Sequence, residues 1–148
     1  MKFNDAGLEL IMDFEGCMLT AYRDVGGLLT IGYGHTREVR EGQEITFEEA
    51  LALLHEDLKD TLASVHFTLG RSAFTINDNQ FSACVCFAYN VGVGSFAKST
   101  LLNCITKGHL NDAANEFLRW CKVDGKECAG LLRRRKAERD LFLTPLSA

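Results

Sequence analysis

The 148-residue chain has one proline, Pro145, no internal repeat, no low-complexity stretch and no composition shift that would mark a linker. These absences point to a single domain without a tandem or solenoid architecture. Long apolar runs are also missing: nothing approaches the ~20 consecutive apolar residues of a membrane span, so stable membrane insertion is not expected. The apolar stretch Leu8–Met12 is interrupted by Glu9, is followed by Asp13 and has no basic segment ahead of it, so no secretory signal peptide is expected. The six cysteines (Cys17, Cys84, Cys86, Cys104, Cys121, Cys128) show no C-x-x-C spacing, which argues against a structural zinc site and leaves them as free thiols, mostly core-filling. A chain of this length buries enough surface to fold without disulfide staples.

What is present is ordinary in bulk and uneven in distribution. Apolar residues make up 47% and charged residues 24%, the composition of a soluble globular domain. The net charge of −4 disfavours a general nucleic-acid binder. Residues 1–118 carry 8 basic and 16 acidic side chains, residues 119–148 carry 8 and 4. The basic end either faces an anionic polymer or, in the plainer reading, presents its arginines as a solvated helix face.

Periodicity then sets the elements. A helix is expected over about 5–15, with Leu8, Ile11 and Met12 inward and Glu15 at the next position of the same stripe. Gly16 ends it. A carboxyl in a core-facing slot at the negative end of a helix is favoured in its protonated form, which is what a general acid requires. An arginine of Arg133–Arg135 facing Glu15 would oppose that effect. Strands are expected over about 20–24 and 28–35 around Gly26-Gly27, which brings Asp24 and Thr30 close across the ladder. Glycines at 32 and 34 on one face signal close approach to the backbone.

Residues 36–45 read as an edge strand or loop. Thr46-x-x-Glu49 opens a long helix to about Leu69 and Asn77 with Gln80 opens another to about Asn90. Further helices are expected over about 96–107, 111–122 (with Phe117 and Trp120) and 129–143, the last ending before Pro145. The expected fold class is α+β, mostly α, with a small N-terminal β-hairpin lobe (about 14–46), a long connecting helix and a larger helical lobe (about 70–148 plus the N-terminal helix).

The spacing Glu15-x8-Asp24-x5-Thr30 stands inside Phe14-Glu15-Gly16 and Thr30-Ile31-Gly32-Tyr33-Gly34-His35-Thr36. With Ala88-Tyr89-Asn90-Val91-Gly92, Ser99-Thr100-Leu101-Leu102 and the run Gly130–Arg139, it resembles the phage-type lysozymes, glycoside hydrolase family 24, and lambdoid-phage endolysins more than the T-even enzyme. The resemblance spans nearly the whole chain.

It implies a lysozyme-like catalytic domain that hydrolyses the β-1,4 bond between N-acetylmuramic acid and N-acetylglucosamine in peptidoglycan. Glu15 would be the general acid, and Asp24 and Thr30 would position and activate water, with inversion. His35, Tyr89, Asn90 and Thr100 would bind substrate or organise the site. For His35 the plainer reading, a histidine that satisfies a nearby carboxylate and pins the lobe, is preferred, and Tyr89 is equally read as core. No metal or cofactor is implied, because acid and base are both side chains.

The expected partner is the peptidoglycan glycan strand, met by a monomer that does not bind nucleic acid. Synthesis in the cytoplasm and release through a holin-type lesion are expected. The alternatives are a non-catalytic peptidoglycan-binding or scaffolding domain and a lytic transglycosylase.

Overall fold

Local capping chemistry divides the chain into its elements. The computed structural model describes residues 1–146. Helix α1 (Asp5–Glu15) ends where Gly16, at φ 68°, donates its N–H to Met12 O at 3.0 Å. Strands β1 (Met18–Arg23) and β2 (Leu29–Gly32) pair antiparallel, with Tyr22 opposite Thr30 and Arg23 opposite Leu29. The segment after β2 returns to β1 at a single bridge, Thr20 to Glu44, flanked by Ala21 N–H to Gln43 O at 2.8 Å and Ile45 N–H to Leu19 O at 2.9 Å. It is a loop that touches the sheet at one point.

Thr46 and Glu49 then exchange side-chain-to-backbone hydrogen bonds (3.1 and 3.2 Å) that open helix α2 (Phe47–Leu69). A short 3-10 segment, Gly70–Thr75, leads to the Asn77/Gln80 capping box and helix α3 (Asp78–Val91). The capping box satisfies donors that a helix N-terminus otherwise leaves open.

Two expected helices are broken. Where one was expected over 96–107, the chain forms α4 (Val93–Ala97) and α5 (Thr100–Thr106), because Ser99 Oγ accepts from Leu102 N–H at 3.1 Å and starts a new helix. Where another was expected over 111–122, α6 (Leu110–Glu116) gives way to a 3-10 turn at Phe117–Arg119 and then to a second hairpin, β3 (Lys122–Val123) with β4 (Lys126–Glu127). Asp124 and Gly125 turn it with φ of 50° and 78°, the left-handed pair that Asp-Gly favours in a two-residue hairpin. Helix α7 (Ala129–Leu143) closes the described chain. The result is the mostly helical α+β class, with small antiparallel hairpins.

The chain divides into two compact units, Ile11–Asp60 and Met1–Leu10 with Thr61–Ala148. The second unit is built on α3, whose residues Phe81–Ala88 are all buried. Phe87 is at its centre, with edge-on contacts to Phe96, Phe117 and Trp120 at 6.3, 5.5 and 5.4 Å between ring centroids. Gly7 lets α1 approach α3: a methyl group there would lie 2.8 Å from Ser82 Cβ.

Arg134 and Arg135 correct the expectation of a solvated arginine face. They are 4% and 0% exposed, and Glu138, also 0% exposed, lies one turn on and pairs with both. A buried cation survives only with such partners. All six cysteines are free thiols, with Cys84, Cys86 and Cys121 buried.

Candidate active site

The unit Ile11–Asp60 contains Glu15, Asp24, Thr30 and His35. Glu15 ends α1 half-buried, and its carboxyl lies over the backbone of Gly34. A methyl group on Gly34 would sit 2.9 Å from Glu15 Oε1.

The bed for that carboxyl comes from a turn where a continuous strand to residue 35 was expected. Gly32 and Gly34 adopt φ of 66° and 82°, a region closed to an extended L-residue. The chain therefore reverses over Gly32-Tyr33-Gly34, and Ile31 and His35 close the turn with two backbone hydrogen bonds of 2.9 Å. Tyr33 packs edge-on against Phe47 at 6.4 Å. Burial pushes its phenol up, and the Cys17 thiol to which it hydrogen-bonds pushes in the same direction.

With Glu15 as the general acid that the resemblance implies, Gly34→Ala is expected to lower activity by about a hundredfold, the order of loss that a misplaced reacting group produces. Gly42→Ala is the control, since Gly42 has φ 76° but nothing within 4 Å of an added methyl. It carries the backbone strain without the intrusion on Glu15, and its rate should stay near the native one.

Asp24 is exposed and fastens the first hairpin. Its Oδ1 accepts from Gly26 N–H and Leu28 N–H, both at 2.9 Å, an Asx-type turn closed by Gly27 N–H to Asp24 O at 2.9 Å. Thr30 is buried, and its hydroxyl donates to Leu28 O at 3.0 Å. The residue across the ladder from Thr30 is Tyr22 rather than Asp24, which puts Asp24 just past the end of β1, diagonal to Thr30. A hydroxyl that donates to a carbonyl keeps its lone pairs available as acceptors.

His35 is buried with both ring nitrogens engaged, Nδ1 2.8 Å from Asp57 Oδ2 and Nε2 2.8 Å from Arg37 O. Arg37 donates from Nη2 to Asp57 Oδ1 at 3.2 Å, and Asp57 with Asp60 and Glu56 holds its guanidinium above the usual arginine range. Both nitrogens of His35 are spent on the protein, so the ring ties the Gly32–Gly34 turn to α2. Asp57 is the partner that sequence reasoning missed, because it lies 22 residues away on another element.

Tyr89, Asn90 and Thr100 belong to the other unit. Tyr89 is half-buried near the end of α3. Asn90 is exposed beside it and accepts at Oδ1 from Arg135 Nη2 at 2.9 Å. Thr100 is the exposed first residue of α5, where the capping side chain is that of Ser99. Among the described residues no group of three or more His, Cys, Asp and Glu side chains could hold a metal ion, and no helix is long and apolar enough to cross a membrane.

Residues 12–138 match the family described as phage lysozyme. The endolysin of Bacillus phage B103 is 43% identical over 147 residues, which cover 97% of this chain and 55% of that endolysin. The chain thus spans about half the length of that relative. Among solved structures, the muramidase domain of SpmX from Asticaccaulis excentricus superposes with a TM-score of 0.88 at 37% identity, covering 97% of this chain and 99% of that one. The lysozyme of phage P22 gives 0.86 at 34% identity, with the same coverage of 97% and 99%. A mostly helical fold with small antiparallel hairpins thus has its counterparts among lysozymes. The chain belongs to the phage lysozyme family.

Proposed function

We propose that this chain is a muramidase that hydrolyses the β-1,4 bond between N-acetylmuramic acid and N-acetylglucosamine in bacterial peptidoglycan, and so lyses cells. The observation that carries the reading is the Glu15 carboxyl laid on the bare backbone of Gly34, in the same unit as Asp24 and Thr30 and in a chain of the phage lysozyme family. Relatives named as endolysins and a neighbour named as a muramidase domain support it.

In this reading Glu15 protonates the leaving glycosidic oxygen. Asp24 draws a proton from the attacking water, and Thr30 accepts a hydrogen bond from that water through its free lone pairs. Water attack from the face opposite the leaving group inverts the anomeric centre, which requires the two carboxyls to stand ~6.5–9.5 Å apart. His35 and Asp57 organise the turn under Glu15, and Tyr89, Asn90 and Thr100 meet the glycan. The protein acts as a monomer and without a cofactor. It works on the cell wall after release from the cytoplasm.

Purified sacculi test the reading. Incubation with the protein should release soluble fragments with new reducing ends at N-acetylmuramic acid. Saturable binding to sacculi without release would point instead to a binding or scaffolding domain.

A further inference from the structure

Exposed apolar side chains and unpaired cations come together where α2 ends. Phe67, in the last turn of α2, is 86% exposed, and Phe74, in the 3-10 segment that follows, is 88% exposed. Phe67 and Thr68 share an open groove of about 420 Å³ with Val93, Gly94 and Ala97 of α4. All of these residues belong to the same compact unit. A large side chain left this far in water gains free energy wherever a partner excludes the water from it.

The charge around them has one sign. Residues 61–77 and 91–111 contain no Asp or Glu, in a chain that has 20, and their Lys and Arg residues are Arg71, Lys98 and Lys107. All three are exposed and enter no ion pair among the described residues. The acids that bound the first segment are occupied, Asp60 by Arg37 at 3.7 Å and Asp78 by the backbone N–H of Lys2 at 2.7 Å. Lys107 shares the surroundings of Cys104 with Asp112 and Glu116, which leaves Arg71 and Lys98 as the unopposed cations. Arg71 stands four residues after Phe67, and Lys98 one helical turn after Gly94 of the groove. The basic C-terminal segment differs, because Arg119 and Arg139 are paired with Glu116 and Asp140, and Lys122 faces Glu127 across the second hairpin.

We propose that this surface docks on an anionic lipid bilayer, with Phe67 entering the acyl boundary and Arg71 and Lys98 meeting the phosphate headgroups. Apolar side chains beside basic ones suit the layer between headgroups and acyl chains, and each cation near an anionic leaflet adds attraction. A second copy of the chain fits less well, since a two-fold contact through the same patch sets Arg71 and Lys98 against their own like charges. The docking is peripheral, and it does not depend on the muramidase reading.

Sedimentation with lipid vesicles tests it. The native chain should bind vesicles of phosphatidylglycerol mixed with phosphatidylcholine roughly tenfold more tightly than vesicles of phosphatidylcholine alone, and added salt should weaken the binding. Phe67→Ser should weaken it about tenfold, the low end for one phenylalanine taken out of water. Arg71→Ser and Lys98→Ser should each weaken it about fivefold. The double variant Val123→Ser, Lys126→Ser removes an exposed apolar residue and a cation from the second hairpin, and its affinity should stay near the native one. Every substituted side chain is exposed, and matching far-UV circular dichroism spectra check that the fold is kept.

Lipid-free sacculi give the independent readout: Phe67→Ser should release reducing ends from them at the native rate. A native chain that does not sediment with the mixed vesicles, undiminished binding by Phe67→Ser, or an equal loss in the hairpin double variant would overturn the proposal. So would light scattering that shows a dimer abolished by Phe67→Ser, which would give the face to a second copy. A native chain that binds the vesicles yet releases nothing from sacculi would defeat the muramidase reading and leave the docking surface standing.

Discussion

Glu15→Gln should reduce release of reducing ends from sacculi by about 10²–10⁴-fold, the range that general acid–base catalysis contributes, with the fold unchanged. Glutamine has nearly the shape of the acid and still fits over Gly34, so the bed for the side chain survives. What is lost is a proton that can be given to the leaving oxygen. Far-UV circular dichroism and the unfolding temperature should match those of the native chain. Full activity in this variant would remove Glu15 from the reaction.

Asp24→Asn separates chemistry from structure in the same way. The amide oxygen can still accept from Gly26 and Leu28, as Oδ1 does now at 2.9 Å, so the hairpin should hold while water activation fails. Asp24→Ala would confound the two effects, because it also opens the turn.

Glu138→Ala should cost about 3–5 kcal/mol of stability, the usual cost of breaking a buried ion pair by removing one partner. For a chain of this size that is a fall in Tm on the order of 10 °C. Glu138 is fully buried between Arg134 and Arg135. Burial holds its carboxyl above the usual range while the two guanidiniums pull it down, and burial lowers Arg135 against the pull of Glu138. Removing the carboxylate leaves two buried cations facing each other. Thermal or urea unfolding measures the loss, and a change below about 1 kcal/mol would mean that the guanidiniums find other partners.

Which features were legible in the sequence follows from the range of the interactions. Gly16 after Glu15, Thr46 with Glu49, and Asn77 with Gln80 are caps made within four residues, and each is read directly from spacing. The mostly helical α+β class followed from the same local signals. Asp124-Gly125 is also a local signal, but the helix expected over 111–122 stopped short of it, and the hairpin beyond was not read. Ser99 was read as lying inside a helix expected over 96–107, although its hydroxyl starts α5.

The candidate site shows the division more sharply. The paired glycines at 32 and 34 announced a close approach, yet their φ values of 66° and 82° make a turn rather than a strand. That the approaching group is Glu15 is a tertiary fact. Asp57 beside His35 and the buried pairing of Arg134 and Arg135 are likewise set by packing between distant segments. A run of three arginines reads as solvated until α3 is laid against it, although Glu138, at helical spacing, was visible throughout.

The measurement that bears most directly on the central claim is mass spectrometry of muropeptides released from sacculi in ¹⁸O-labelled water. Hydrolysis with water delivered at Asp24 and Thr30 predicts fragments ending in reducing N-acetylmuramic acid that carry one ¹⁸O at the anomeric carbon. Fragments ending in 1,6-anhydro-N-acetylmuramic acid, lighter by one water and without label, would contradict it.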